Sequence, residues 1–402
     1  MSKILISGAS IAGPALAYWL HRYGFDVTVV ERAPALRPGG YKVDVRGAAV
    51  EVIDRMGLGD SVRRRATDIR GGTWLTRTGR PMAVLGPDLI GFRDPEDLEI
   101  LRGDLAEILY RATRGQVEYL FGDTVESIDQ DDAGVYVGFE QAAPRTFDLV
   151  VGADGLHSRV RELVFGPESQ FTHRLGLTVA VFGVPNHMGL DRWEMACTSA
   201  GRIVNVYSLQ PDTAATAQFF FPAPDPEPGR NDPPAQFRAL THAFAGHGWE
   251  IPTLLHAMPD ATDFYFDTLA QISMPTWSDH RVSLLGDAAY SPSPASGQGT
   301  SLALVGAYLL AGELAAAQGA HHTALPRYEQ KMRPFVHRNQ QLARDVVDKL
   351  VPPTRLQAGM QLAMMRAMPY LPGKHRMLEK IMQPIREAAN DIDLGAYSCP
   401  RT

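Results

Sequence analysis

Residues 3–31, KILISGASIAGPALAYWLHRYGFDVTVVE, constrain this chain more than any other stretch. Apolar residues 4–6 predict a strand, Gly8 and Gly13 frame a turn, residues 15–23 predict a helix, and residues 25–30 predict a second buried strand. That order is a βαβ unit. Gly8 permits the sharp turn and Gly13 lets helix and strand approach. The free N–H groups of Ser10, Ile11 and Ala12 and the positive end of the helix dipole then face a pyrophosphate. Glu31 closes the second strand about 20 residues further on, where a carboxylate accepts hydrogen bonds from an adenosine ribose. The middle glycine of a GxGxxG turn is replaced by Ser10, which puts a Cβ where the backbone comes nearest the pyrophosphate. Serine is small enough to fit. The turn alone separates neither FAD from NAD nor binding from a purely structural turn.

With 402 residues, 45% hydrophobic and 21% charged, the chain has material for two or three domains and a sizeable core. The net charge of −6 and pI near 6.1 argue against a general nucleic-acid binder, which needs a basic footprint. The two cysteines, Cys197 and Cys399, are too few and too far apart for a disulfide framework or metal site, which points to a reducing compartment. A strand begins at once, leaving no room for a signal peptide. Residues 302–310 read as a short apolar helix followed by Gly312 and Glu313, too short to span a bilayer. The expectation is a cytoplasmic monomer or homodimer with no metal, no nucleic-acid partner and no membrane partner.

Further along, Pro38, Gly39 and Gly40 predict a loop, Val43 and Val45 a short strand, residues 48–56 a helix, and residues 72–85 a hairpin about Thr78-Gly79. From Asp97 the spacing of Leu98, Leu101, Leu105, Ile108 and Leu109 predicts one helix with Arg102 beside its apolar face. Residues 117–120, 124–129 and 135–139 read as a small meander. Residues 149–151 form a buried strand that meets Gly152, Asp154 and Gly155 before a helix near Ser158. This second junction of the nucleotide-binding type, far from the first, makes the domain discontinuous.

Residues 177–184, 203–209, 217–221 and 264–269 predict a mostly antiparallel sheet, with a proline-rich loop at 222–234 and a helix at 235–244. A third strand, residues 282–285, runs into Gly286 and Asp287, then a loop with Pro294, Gly297 and Gly299, then a long helix from about Thr300. Backbone N–H groups at 297–300 can stabilise negative charge. Residues 325–402 read as helices broken at Pro352-Pro353, Pro369 and Pro372. They hold thirteen Lys and Arg against seven Asp and Glu, a net of +6 that leaves −12 for the remainder. Met360, Met364 and Met368 share one helical face beside Met365, and core packing is expected there ahead of the lining of an entrance for bulky apolar substrates.

GASIAG at 8–13, GADGLHSRVR at 152–161 and LLGDAAYSPSPASGQGTSLAL at 284–304, in this order, resemble the single-component FAD-dependent monooxygenases, the flavoprotein aromatic hydroxylases. The likeness is nearest to their tetracycline-modifying and polyketide-tailoring branch. It implies an α/β fold: a discontinuous Rossmann-type FAD-binding domain (1–70, 95–170, 275–325), a mostly antiparallel β-sheet substrate domain (71–94, 171–274) and a C-terminal helical segment (326–402).

By position, the resemblance implies that Gly8, Gly13 and Glu31 hold the ADP half of FAD, with Arg32 near the adenine. It places Arg102 on the ribityl or pyrophosphate region and Asp287, after Gly286, on the ribityl chain. Asp154 and Gly155 would serve FAD and NAD(P)H with support from Arg161. Pro294, Gly297, Gly299 and Thr300 would wrap the flavin, with Asp44 and Arg46 beside it. NADPH or NADH would reduce FAD, O₂ would add to give a flavin hydroperoxide, and an aromatic or polyketide-like small molecule would be hydroxylated. Substrate contacts would come from strands near 179–184, 204–208 and 218–220. No catalytic side chain is assigned, because the flavin carries the chemistry. His173, His187, His242, His247 and His256 receive no role. A reductase that inserts no oxygen, or a non-catalytic FAD-binding protein, is the alternative.

Overall fold

The computed structural model describes residues 2–37, 39–87 and 93–397, so Pro38 and Cys399 of the reading above lie outside the described residues. A six-stranded sheet runs in the order β17 (Ser278–Asp279), β18 (Val282–Leu284), β11 (Leu149–Gly152), β1 (Lys3–Ser7), β2 (Asp26–Glu31) and β7 (Glu118–Phe121). All its pairings are parallel except β17 with β18. Continuous apolar runs such as KILIS and LVVG suit parallel strands covered on both faces. The covering helices include α1 (Ala12–Arg22), α4 (Arg102–Thr113) and α9 (Gly299–Ala316), with α9 packed on α1, on α2 (Ala48–Arg55) and on α10 (His321–Leu350).

Three predicted elements come out differently. Residues 98–101 are not a helical turn but strand β6 (Leu98–Leu101), antiparallel to β3 (Lys42–Val45), and the helix starts only at Arg102. The spacing of Leu98, Leu101 and Leu105 fits either structure, and pairing with a strand distant in sequence decides it. Strand β7 leaves the expected meander for the parallel sheet, because it pairs with β2 and Thr28 bonds Glu118 at 2.9 Å. Only β8 (Val125–Gln130), β9 (Val135–Phe139) and β10 (Arg145–Phe147) form the small sheet. The apolar helix expected over 302–310 runs 18 residues as α9, through Gly312 and Glu313. By length and composition it could cross a membrane, but 78% of it is buried inside the protein. A helix apolar all round is the helix of a core.

The seven-stranded sheet has the order β16 (Tyr265–Ile272), β12 (Thr172–Val184), β15 (Ala215–Pro222), β14 (Arg202–Ser208), β13 (Trp193–Ser199), β4 (Gly71–Leu75) and β5 (Pro81–Leu85). Its pairings are antiparallel except β13 with β4. Strand β13 and the short helices α3 (Gly59–Arg64) and α7 (Ile251–Ala257) are absent from the sequence reading. Alternation sorts the two faces. Phe182, Phe219 and Phe221 pack with Phe244, which follows α6 (Pro233–Ala243), and with Leu254 of α7. Val179, Val181, Ile203 and Phe220 face the opposite way, toward Tyr41, Ala295 and Val351. The C-terminal part breaks as expected, into α10, α11 (Arg355–Ala367) and α12 (Lys374–Asn390). Core packing does not explain the methionines, since Met360 and Met364 are exposed and only Met368 is buried.

Candidate cofactor and active site

The three glycine junctions meet at the carboxyl ends of β1, β11 and β18, where Ser7 is level with Gly152 and Gly152 with Leu284. In open parallel sheets this end is where ligands bind. Gly8 has φ +108°, and a Cβ there would lie 2.5 Å from the Ala153 carbonyl oxygen, so the first turn abuts the Asp154 segment. A Cβ on Gly13 would lie 1.9 Å from the Gly8 carbonyl oxygen, which makes glycine obligatory at that contact. On the far side, a Cβ on Gly286 would lie 3.2 Å from that of Ala12.

Helix α1 begins after Ile11 with no side-chain cap and no acidic residue in its first turn, so its N-terminal N–H groups are open to an anion. Ser10 is half-buried and fits in the turn. Glu31 accepts hydrogen bonds from the N–H of Ala9 at 2.8 Å and of Ala33 at 2.9 Å, which fixes its carboxylate beside the turn. A carboxylate holding two donors keeps further acceptor capacity for ribose hydroxyls. Arg32 is exposed at the rim.

Arg102, the first residue of α4, lies over the ring of Tyr41 at 5.9 Å. Its pKa is raised by the Tyr41 hydroxyl against the effect of burial, and Asp287, Tyr265 and Glu31 add to the rise. Arg102 thus links the Glu31 end of the site to the Asp287 end. Among the described residues the half-buried guanidinium donates no hydrogen bond, leaving its donors open to an anionic ligand. Burial raises the pKa of Asp287, while Arg102 and Ser291 pull it down.

Asp287 Oδ1 lies 3.7 Å from where a Gly299 Cβ would stand, at the start of α9. That helix also lacks a side-chain cap and an acidic first turn. Its N-cap residue Gln298, absent from the sequence reading, is fully buried, and among the described residues both polar atoms of its amide lack a hydrogen-bond partner. Thr300 is half-buried in the first turn. The preceding loop turns through a short 3₁₀ segment at Pro294–Ser296 and a left-handed Gly297. Asp44 and Arg46 pair at 2.8 Å, and a Cβ on Gly297 would come within 3.5 Å of Asp44 Oδ2. Arg46 also donates its backbone N–H to Ser301 at 3.0 Å, tying β3 to α9. Open amides, an unbonded guanidinium and an orphaned amide in this cleft fit the anionic, polar FAD molecule.

The Asp154 segment is more self-contained. Asp154 accepts from Ser158 at 2.5 Å and from the N–H of Arg159 at 2.8 Å, capping α5 (Arg159–Phe165). Burial raises its pKa and these hydrogen bonds oppose the rise. Gly155, at φ +87°, makes the adjoining turn. Arg161 is fully buried and donates to the carbonyls of Ala288 and Leu156 at 2.9 and 2.7 Å, so it braces α5 against α8 (Asp287–Tyr290). Nearby, His157 bridges Glu168 at 2.9 Å and Asp267 at 2.8 Å, a pairing no sequence signal announced.

Residues 1–343 match the family model described as "FAD binding domain". An uncharacterized protein of Mycobacterium tuberculosis (strain ATCC 25618 / H37Rv) is 47% identical over 356 residues, covering 86% of this chain and 93% of that one. A flavin-dependent monooxygenase of Legionella longbeachae serogroup 1 (strain NSW150) is 38% identical, covering 84% and 87%. The crystal structure of tetracycline destructase Tet(55) superposes with a TM-score of 0.85 at 37% identity, covering 99% of each chain. The geometry and these likenesses agree, and the chain belongs to the FAD-binding-domain family as an FAD-dependent monooxygenase.

Proposed function

We propose that this enzyme uses NADPH or NADH and O₂ to hydroxylate a bulky aromatic or polyketide-like small molecule. The observation that carries the reading is the convergence of two uncapped helix N-termini and Arg102 on one cleft beneath the seven-stranded sheet. Bound FAD supplies the activation of dioxygen. Gly8, Ser10, Ile11, Ala12, Gly13 and Glu31 would hold its ADP half, with Arg32 by the adenine and Arg102 and Asp287 along the linker. Pro294, Gly297, Gly299 and Thr300 would enclose the ring system, with Asp44 and Arg46 beside it. The Asp154-Gly155 turn, braced by Arg161, would serve FAD and NAD(P)H. The chain divides in this reading into an FAD-binding domain (1–70, 95–170, 275–325), a substrate domain (71–94, 171–274) and the helices of 326–402.

Substrate would lie against the face of the sheet that carries Val179, Val181, Ile203 and Phe220. Alternation adds Asn205 and Gln218, which are register neighbours on β14 and β15. Among the described residues neither side-chain amide has a hydrogen-bond partner. Apolar walls with a few polar groups orient a ring system and exclude water from the reacting atoms. Names of relatives support the substrate class, since a structural neighbour at 36% identity is tetracycline destructase Tet(51).

The test follows NADPH and NADH oxidation in air by the flavin-loaded enzyme, with and without tetracycline and other aromatic polyketides. The expected result is substrate-stimulated oxidation and a product heavier by one oxygen derived from O₂. Oxidation that persists without O₂, with the added compound taking up the two electrons as a reduced product, would make the enzyme a reductase instead.

A further inference from the structure

Among the described residues, six of the eight exposed large hydrophobic side chains fall between residues 356 and 381: Leu356, Met360, Met364, Tyr370, Leu371 and Ile381, with Tyr370 87% and Leu356 74% exposed. Leu356, Met360 and Met364 are spaced i, i+4, i+8 and so form one stripe along α11. The other side of that helix is buried through Ala358 and Leu362. It packs beside β5, the edge strand of the large sheet, which leaves Val84 60% exposed. Scattered apolar residues on a surface need no account, but a stripe along one helix, with more in the segment that follows it, does.

Charge bears on what would cover it. Residues 350–382 contain five Lys and Arg and a single acidic residue, Glu379. Of these cations Arg355, Arg366, Arg376 and Lys380 are exposed and form no ion pair among the described residues. Elsewhere basic residues are repeatedly paired, as in Arg63–Asp54 at 2.9 Å and Arg145–Glu118 at 2.7 Å. A second copy meeting this face across a two-fold axis would set cations against the same cations. An anionic lipid surface instead attracts the arginines and lysines and takes up the methionine, leucine and tyrosine side chains.

We propose that α11, the turn at 368–373 and the first turns of α12 dock the enzyme reversibly on anionic membrane surfaces. The docking is interfacial and spans nothing, and it holds whichever substrate the enzyme oxidises.

The test is flotation of the full-length, flavin-loaded enzyme with vesicles of equal parts phosphatidylglycerol and phosphatidylcholine, against pure phosphatidylcholine. The enzyme should float with the anionic vesicles at low salt and be released as salt rises. Pure phosphatidylcholine should bind it about tenfold less. The double substitution M360E/M364E should weaken flotation about tenfold or more, with the visible flavin spectrum and Tm unchanged. Arg366→Glu should weaken it about tenfold and leave the apolar stripe intact. Failure of the enzyme to float, or flotation of both variants equal to that of the parent, overturns the proposal. A concentration-dependent dimer that M360E/M364E abolishes, with no flotation, assigns the face to a second copy and overturns it as well.

Discussion

Arg102 joins the two ends of the cofactor cleft, being coupled to Tyr41, Asp287, Tyr265 and Glu31. A charge-assisted hydrogen bond contributes about 1.5–3 kcal/mol, so Arg102→Gln should raise the Kd for FAD by roughly 10- to 100-fold, measured by flavin titration of the apoprotein. Gly13→Ala acts differently. Its Cβ would meet the Gly8 carbonyl oxygen at 1.9 Å, and the backbone must move. Overpacking of this kind costs about 1–3 kcal/mol, to be read as a lowered denaturant midpoint together with loss of bound flavin. Gly8, Gly13 and Glu31 are legible in the sequence because a tight turn and the strand that follows it fix their positions locally. Gln298 and His157 are not. Gln298 has a signal only in its place between Gly297 and Gly299, and the partners of His157 come from residues 168 and 267.

Elements whose partners lie close in sequence are the ones the sequence specifies. The first strand, turn and helix, the hairpin of β4 and β5, and the proline-bounded helices α11 and α12 appear where spacing places them. The stretch 98–101 shows the limit, since its leucine spacing satisfies a helix until β3, more than fifty residues earlier, claims it as a strand. That shift matters to the site, because it puts Arg102 at the mouth of α4 rather than along its flank. In the seven-stranded sheet, alternation predicts which residues share a face but not the order of strands. The Asn205–Gln218 pair therefore emerges only from the register of β14 with β15. Replacing either amide by leucine should raise KM for an oxygenated polycyclic substrate about tenfold and leave flavin binding unchanged, as steady-state kinetics and flavin titration would record.

At the scale of the whole molecule, His157 links the parallel sheet to the seven-stranded one, through Glu168 beside α5 and Asp267 on β16, with Arg161, Arg230 and Tyr265 close by. Burial lowers its pKa, but hydrogen bonds from the imidazole to Asp267 and Glu168 outweigh that effect and raise it from 6.5 to about 9. The stabilisation is fully present below pH 6.5 and is lost as pH rises through about 9. Tm should therefore fall across that window, and the fall should flatten in His157→Gln. On the acid side Glu168, held below its ordinary range by His157 despite burial, loses its contribution as pH drops through its depressed pKa. Which strands continue the sheet beyond β1 is the least legible property of all, since β11, which pairs with β1, and β18, which pairs with β11, come from residues 149–152 and 282–284. That wiring has a consequence in time. At about 5–20 residues per second, β18 leaves the ribosome some 15–60 s after β1. Through that interval the nascent chain has the first glycine turn but neither Asp287 nor α9. With Asp287 and α9 holding the flavin half as proposed, only a chain extended past α9 offers the complete FAD site.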